Sequence, residues 1–214
     1  MKRKLTWVIT LTLALCMMAG VGVAEAQDGE TLAAWQLDAG WRAFYTYTQE
    51  AELDDAWEAA AAAFGPALGM EDMDGATLKA MNAQVCGLPD GIVRLELDGE
   101  SVRALDAAGQ TVFEHAYQYV AALPGALEEA DVFVYHTEDA DAGQFAYLCM
   151  TLPSVAAEEG GVITNFSLRY AEADYEALFA ADYAGATGML VAADTALSDV
   201  DYTIRLVYGA EPQQ

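Results

Sequence analysis

Basic residues are scarce in this chain. Nine lysines and arginines face thirty-four aspartates and glutamates across 214 residues, a formal net charge of −25. A surface of that sign repels nucleic-acid phosphates and anionic lipid headgroups, so neither is an expected partner. It favours solubility and attracts cations without specificity. Histidine is scarcer still, limited to His115 and His136. The two fall on different expected strands, and Glu114 alternates to the face opposite His115. Without a third histidine, a catalytic metal is not expected. No glycine-rich loop follows a strand to cradle phosphate, and no Ser-His-Asp or Cys-His arrangement stands out. No nucleophile sits beside a plausible base, so the chain does not read as an enzyme. Past the first 26 residues, no stretch is long and apolar enough to span a bilayer. Repeats and linkers are absent, which points to one domain.

What is present begins with a targeting segment. Lys2-Arg3-Lys4 forms a basic start, Leu5 to Val23 is apolar, and Ala24-Glu25-Ala26 supplies a small-x-small cleavage pattern. Residues 1–26 therefore read as a signal peptide and 27–214 as an exported domain, secreted or held in the cell envelope. An uncleaved anchor is the alternative. A lipid anchor at Cys16 is not expected, because the preceding Leu15 is large where a small residue is required. Cys86 and Cys149 remain in the mature chain, in a compartment where a disulfide persists. A bridge between them would close a loop of about sixty residues and contribute on the order of 4 kcal/mol. Two free buried thiols are the alternative, and sequence alone does not decide between them.

Residues 27–90 read as helix and loop. Thr31 is an expected N-cap for a helix through Leu32, Trp35 and Leu37. Leu53, Ala56, Trp57 and Ala60 have helical spacing and lead into the alanine run 59–63, with Gly65-Pro66 expected to stop that helix. A second helix is expected over 76–85. From Ile92 to Val120 the pattern changes to period two, with turns at Asp98-Gly99 and Ala108-Gly109-Gln110, the signature of an antiparallel meander. Its third strand is expected to run from Val112 through Tyr119, and Leu123-Pro124-Gly125 to turn the chain. Further strands are expected at 132–135, 145–152 and 162–170, and a short helix capped by Asp174 follows. Residues 190–194 are ambiguous. Residues 197–208 fit both templates, and their β-branched content slightly favours strand. The fold class is α+β and mainly β, an antiparallel barrel with flanking N-terminal helices.

Four segments carry a family resemblance. Gly40-Trp41-Arg42-Ala43-Phe44-Tyr45-Thr46-Tyr47 resembles G-x-W-x-S-x-Y-x-Y, and Leu53-Asp54-Asp55-Ala56-Trp57 resembles L-D-P-V-F. The meander resembles I-x-I-x-G-N-x-x-x-F…G…Y-x-Y, and Glu138 to Thr151 resembles K-D-G-D-A-P-K-Y-x-Q-F-S-D-H. In that order and spacing they resemble the ZinT (YodA) family of extracytoplasmic metal-binding proteins, over about residues 35–180. The same domain ends some zinc-transporter solute-binding proteins. The resemblance implies a calycin (lipocalin-like) barrel and a zinc site at one end of it, made by three histidines. One follows the D of the last D-H pair, and two lie on the next strand as H-F-H.

None of those histidines is present. The first position falls on Thr151, or on Cys149 if the register slips by two, and H-F-H reads Asn165-Phe166-Ser167. Residues two apart share a strand face, so Asn165 and Ser167 should point together, as should Cys149 and Thr151. Neutral hydroxyls and amides are poor substitutes for imidazole or thiolate. A polar hydrogen-bonded cluster facing into the barrel mouth is the expected replacement, and a different small ligand the alternative.

Other groupings read as structure. Asp139-x-Asp141-x-Gly143 has the start of a calcium loop, but its twelfth position is Met150 and its flanks are strands, so a hairpin turn is expected. Trp35, Trp41, Phe44, Tyr45, Tyr47 and Trp57 read as core where a helical layer meets a barrel. Glu128-Glu129 and Glu158-Glu159 read as solvated loop charges. The functional expectation is a secreted monomeric ZinT-like binding protein whose partner is a divalent metal ion or small ligand, zinc by resemblance, with an altered site. A lipocalin-like carrier or a cell-envelope interaction protein is the alternative.

Overall fold

The structure is a computed structural model that describes residues 28–155 and 161–212. The signal-peptide reading and Glu158-Glu159 lie outside the described residues. Nine strands form one antiparallel sheet: β1 (Trp41–Ala43), β2 (Ile92–Leu97), β3 (Ser101–Asp106), β4 (Thr111–Ala116), β5 (Gln118–Leu127), β6 (Ala130–His136), β7 (Tyr147–Thr151), β8 (Asn165–Ala171) and β9 (Gly188–Ala192). Their order is β4-β3-β2-β1-β9-β8-β7-β6-β5. Every neighbour is a chain neighbour except at β1, which pairs with both β2 and β9 and joins the two meanders.

The order has one break, between β4 and β5, and a single residue, Tyr117, links those two strands. In a flat sheet the end strands would lie about 38 Å apart, at about 4.8 Å per strand. Here Phe113 of β4 packs against Phe145, just before β7, with ring centroids 4.5 Å apart. The sheet is therefore rolled into a calycin-like half-barrel. One face of β1, β2, β3, β6, β7, β8 and β9 lines a shared core that includes Trp41, Leu95, Val102, Phe133, Met150 and Phe166.

Two 3-10 turns (Asp28–Glu30 and Leu32–Trp35) plug this core, where a regular helix was expected. Thr31 is extended and makes no side-chain cap. Tertiary contacts set this conformation. The Trp35 indole packs edge-on against Phe133, Tyr135 and Phe166, and the Tyr135 hydroxyl donates to Gly29 O at 2.6 Å. A Cβ on Gly29 would sit 2.2 Å from the Phe133 ring, so only glycine fits.

Outside the barrel lie α1 (Asp54–Leu68), α2 (Gly75–Cys86) and α3 (Leu197–Val207). Pro66 does not stop α1 as expected. It sits in the last turn, where it removes a single intrahelical hydrogen bond, and α1 ends at Gly69. Gly69 has φ +70, its N–H reaches Pro66 O, and Met70 N–H reaches Gly65 O, a Schellman closure. Asp74 caps α2 by accepting from Thr77 N–H. Leu197–Val207 form a helix, overturning the preference for strand over 197–208. The strand they follow, β9, already has β1 and β8 on its two edges, so no adjoining edge is open to pair. The helix instead buries Val200 and Ile204 against the layer holding Trp57 and Phe64.

Three further expectations are corrected. Trp41–Ala43 is a strand, although 27–90 read as helix and loop. The third meander strand breaks at Tyr117, whose N–H turns to Glu100 O. Pro124-Gly125 lies within β5 and the turn comes at Glu128-Glu129, both at positive φ. Proline is tolerated there because β5 is an end strand.

Candidate functional site

The geometry around Thr151 follows from strand alternation. Leu148 and Met150 of β7 point into the barrel core, as do Phe166 and Leu168 of β8. Cys149 and Thr151 therefore take the other face, with Asn165, Ser167 and Arg169. The three positions matching the family histidines do come together, and all are buried. They lie on the outer face of the sheet, however, and not on an inward rim. Filling the barrel with Met150 and Phe166 leaves no other parity. The trio lies between two outer apolar clusters. Asn165 and Ser167 pair with Val191 and Met189, which pack under α1 and α3. Thr151 pairs with Val132, which packs towards Cys86 and Leu178.

Thr151 and Asn165 each engage a protein partner through their side chains. Thr151 Oγ1 accepts from Ser167 N–H at 2.9 Å. Thr151 O accepts from Trp35 Nε1 at 2.9 Å. Asn165 Nδ2 donates to Ile163 O at 3.4 Å. Beyond Thr151 the chain resumes pairing one residue out of register, at Ser154 and Asn165, with backbone bonds of 2.9 and 3.0 Å. Thr151 thus stitches an irregular join: its hydroxyl replaces a ladder carbonyl.

Cys149 is separate from this cluster. It stands opposite Arg169 on the β7–β8 pair. It is a free, buried thiol, and burial pushes its pKa up to about 12. The Cys86–Cys149 bridge that the sequence left open is not formed, although both residues line one apolar cluster. Each sulfur has its own surroundings: Cys86 Sγ accepts from Asn82 Nδ2, and Cys149 faces the guanidinium.

These residues do not fit zinc. The Thr151 hydroxyl already accepts one hydrogen bond, the hydroxyls and the amide are neutral, and the nearby thiol stays protonated at neutral pH. Among the described residues no group of three or more His, Cys, Asp or Glu is placed to hold a metal ion. His115 Nδ1 lies 3.0 Å from Asp139 Oδ2, and His136 packs on Tyr147. Sequence reasoning weighed Glu114 beside the histidines and missed Asp139. Asp139, in the connection between β6 and β7, pairs with His115 of β4.

The aromatic residues divide between layers as core. Trp35 and Trp41 enter the barrel, while Phe44, Tyr47 and Trp57 enter the helical layer. Phe133, Tyr135 and Phe166 are also fully buried there.

The same rolled architecture occurs in solved structures. The Zn(II)-bound ZinT-like domain of Streptococcus pneumoniae AdcA superposes with a TM-score of 0.54 at 18% identity, over 83% of this chain and 89% of that one. The fold is ZinT-like. Zn(II)-bound AdcA from the same organism matches with a TM-score of 0.53 at 17% identity, over 85% of this chain and 35% of that longer one. At such identities the likeness carries the ZinT-like fold alone. No family model and no curated protein matches the sequence. No helix among the described residues is long and apolar enough to cross a membrane.

Proposed function

We propose that this chain is an extracytoplasmic, non-enzymatic binding domain of ZinT-like fold that has exchanged a metal centre for a structural polar join. The observation that carries this reading is the engagement of Thr151 Oγ1 by Ser167 N–H. The position that would present the first metal ligand instead repairs the strand pairing. Buried hydroxyl and amide groups satisfied by protein partners have little to offer a borderline-soft cation. Divalent cations then meet this protein only through its diffuse negative surface, weakly and with strong salt dependence. The basic start, apolar run and Ala24-Glu25-Ala26 support export of residues 27–214.

Equilibrium dialysis against zinc, a chelator wash and elemental analysis test the reading. The expected result is far less than one zinc per chain. One zinc retained against the chelator, and lost in Thr151→Ala or Ser167→Ala, would overturn it.

A further inference from the structure

We infer that the cleft between the Phe44–Gln49 turn and β2 is a binding site for a small oxyanion, a carboxylate or a phosphate. The cleft has a volume of about 690 Å³ and is lined in part by Arg42, Tyr45, Thr46, Glu50 and Arg94. Arg42 of β1 and Arg94 of β2 are direct cross-strand partners. Directly opposed like charges oppose pairing unless something compensates them. In a chain so poor in basic residues, this juxtaposition stands against the overall charge pattern.

Compensation within the chain is incomplete. Glu50 pairs with Arg42. Glu96 is shared, 3.3 Å from Arg94 and 2.6 Å from Arg103. Three guanidiniums thus divide two carboxylates. The carboxylate of Asp194, which lies beyond the lining, is felt at Tyr47.

Both arginines are held in place. Arg42 Nε donates to Thr46 Oγ1 at 2.8 Å, and its guanidinium lies 4.0 Å over the Tyr47 ring. Arg94 Nη2 donates to Ala39 O at 2.7 Å. Arg94 Nε is buried with no acceptor, against Gly40, where a Cβ would come within 3.2 Å of it. An arginine kept in such a position is fixed by its surroundings. One terminal nitrogen of each arginine, Nη1, has no partner among the described residues. Two fixed forks with free donors suit the planar oxygens of a carboxylate or phosphate, and little ordering entropy remains to be lost on binding. The surrounding negative field excludes extended polyanions such as nucleic acid and leaves small ones.

Calorimetric titration of the intact mature protein with citrate and, separately, inorganic phosphate at low salt tests this. Saturable one-to-one binding of at least one is expected, and the tighter of the two assigns the oxyanion class. Arg42→Gln and Arg94→Gln should each weaken it by about tenfold or more, the loss of one charge-assisted hydrogen bond. Lys79→Gln removes the same charge from the helical layer, where Lys79 pairs with Asp54, and should leave binding unchanged. Arg94→Lys keeps the charge without the fork and guards against a glutamine variant that fails to fold; it should also bind more weakly. No saturable binding of either anion would overturn the proposal. So would equal weakening in Lys79→Gln, or full affinity in Arg94→Lys.

Discussion

Replacing Thr151 by valine tests whether this position is structural. Valine keeps the shape and removes Oγ1, so Ser167 N–H loses its acceptor. Both residues are about 2% exposed, and water does not reach the site without local opening. A buried donor left unsatisfied costs about 1–3 kcal/mol. For a chain of this length each kcal/mol lowers the midpoint by about 2–4 °C, so a drop of about 2–12 °C is expected. Thr151→Ser keeps the hydroxyl and removes one methyl group, a loss of about 1 kcal/mol. Thermal melts followed by far-ultraviolet circular dichroism, with and without zinc, give both answers. Valine should be worse than serine, and zinc should move neither midpoint. If Thr151→Val melts with the wild type, the hydroxyl does not hold the join. If zinc stabilises the wild type but not the valine variant, Thr151 belongs to a metal site.

Three further outcomes follow from the packing. Cys149 should resist a thiol reagent at pH 8 in the native protein and react once unfolded, since burial holds its pKa at about 12; peptide mapping of native protein that finds Cys149 labelled would refute this. Stability should fall as pH rises from about 10 to about 12, because burial raises Tyr208 and Cys149 to about 12 and pushes Tyr117 and Tyr135 up as well. Unfolded, these groups ionise near pH 8.5–10, so the native state binds more protons above that range and loses stability there. A flat denaturation midpoint across this window would contradict the assignment. Ile204→Ala should cost about 2–5 kcal/mol in a denaturant titration, because Ile204 is fully buried between α3 and the helical layer; a change below about 0.5 kcal/mol would place that face in solvent.

Local pattern alone determined the elements whose residues repeat with a clean period. Ile92 to Ala116 alternates and turns at Asp-Gly and Gly, and it folds as the meander that this pattern specifies. Asp54 to Phe64 and Gly75 to Cys86 carry helical spacing, and they are helices. The order of segments was also legible, since it is a matter of residue identity. Tertiary structure decided the rest, because long-range partners outweigh weak local preference. Trp41–Ala43 is too short to announce itself as a strand and exists because β2 and β9 leave a gap of its width. Residues 197–207 are helical because the edges beside β9 are taken. Thr151, Asn165 and Ser167 face outward because Met150 and Phe166 fill the barrel, and a side chain's direction on a strand is settled by whichever neighbour has more apolar surface to bury. The pairing of Arg42 with Arg94 depends on the register between strands some fifty residues apart in the chain, which no local pattern records.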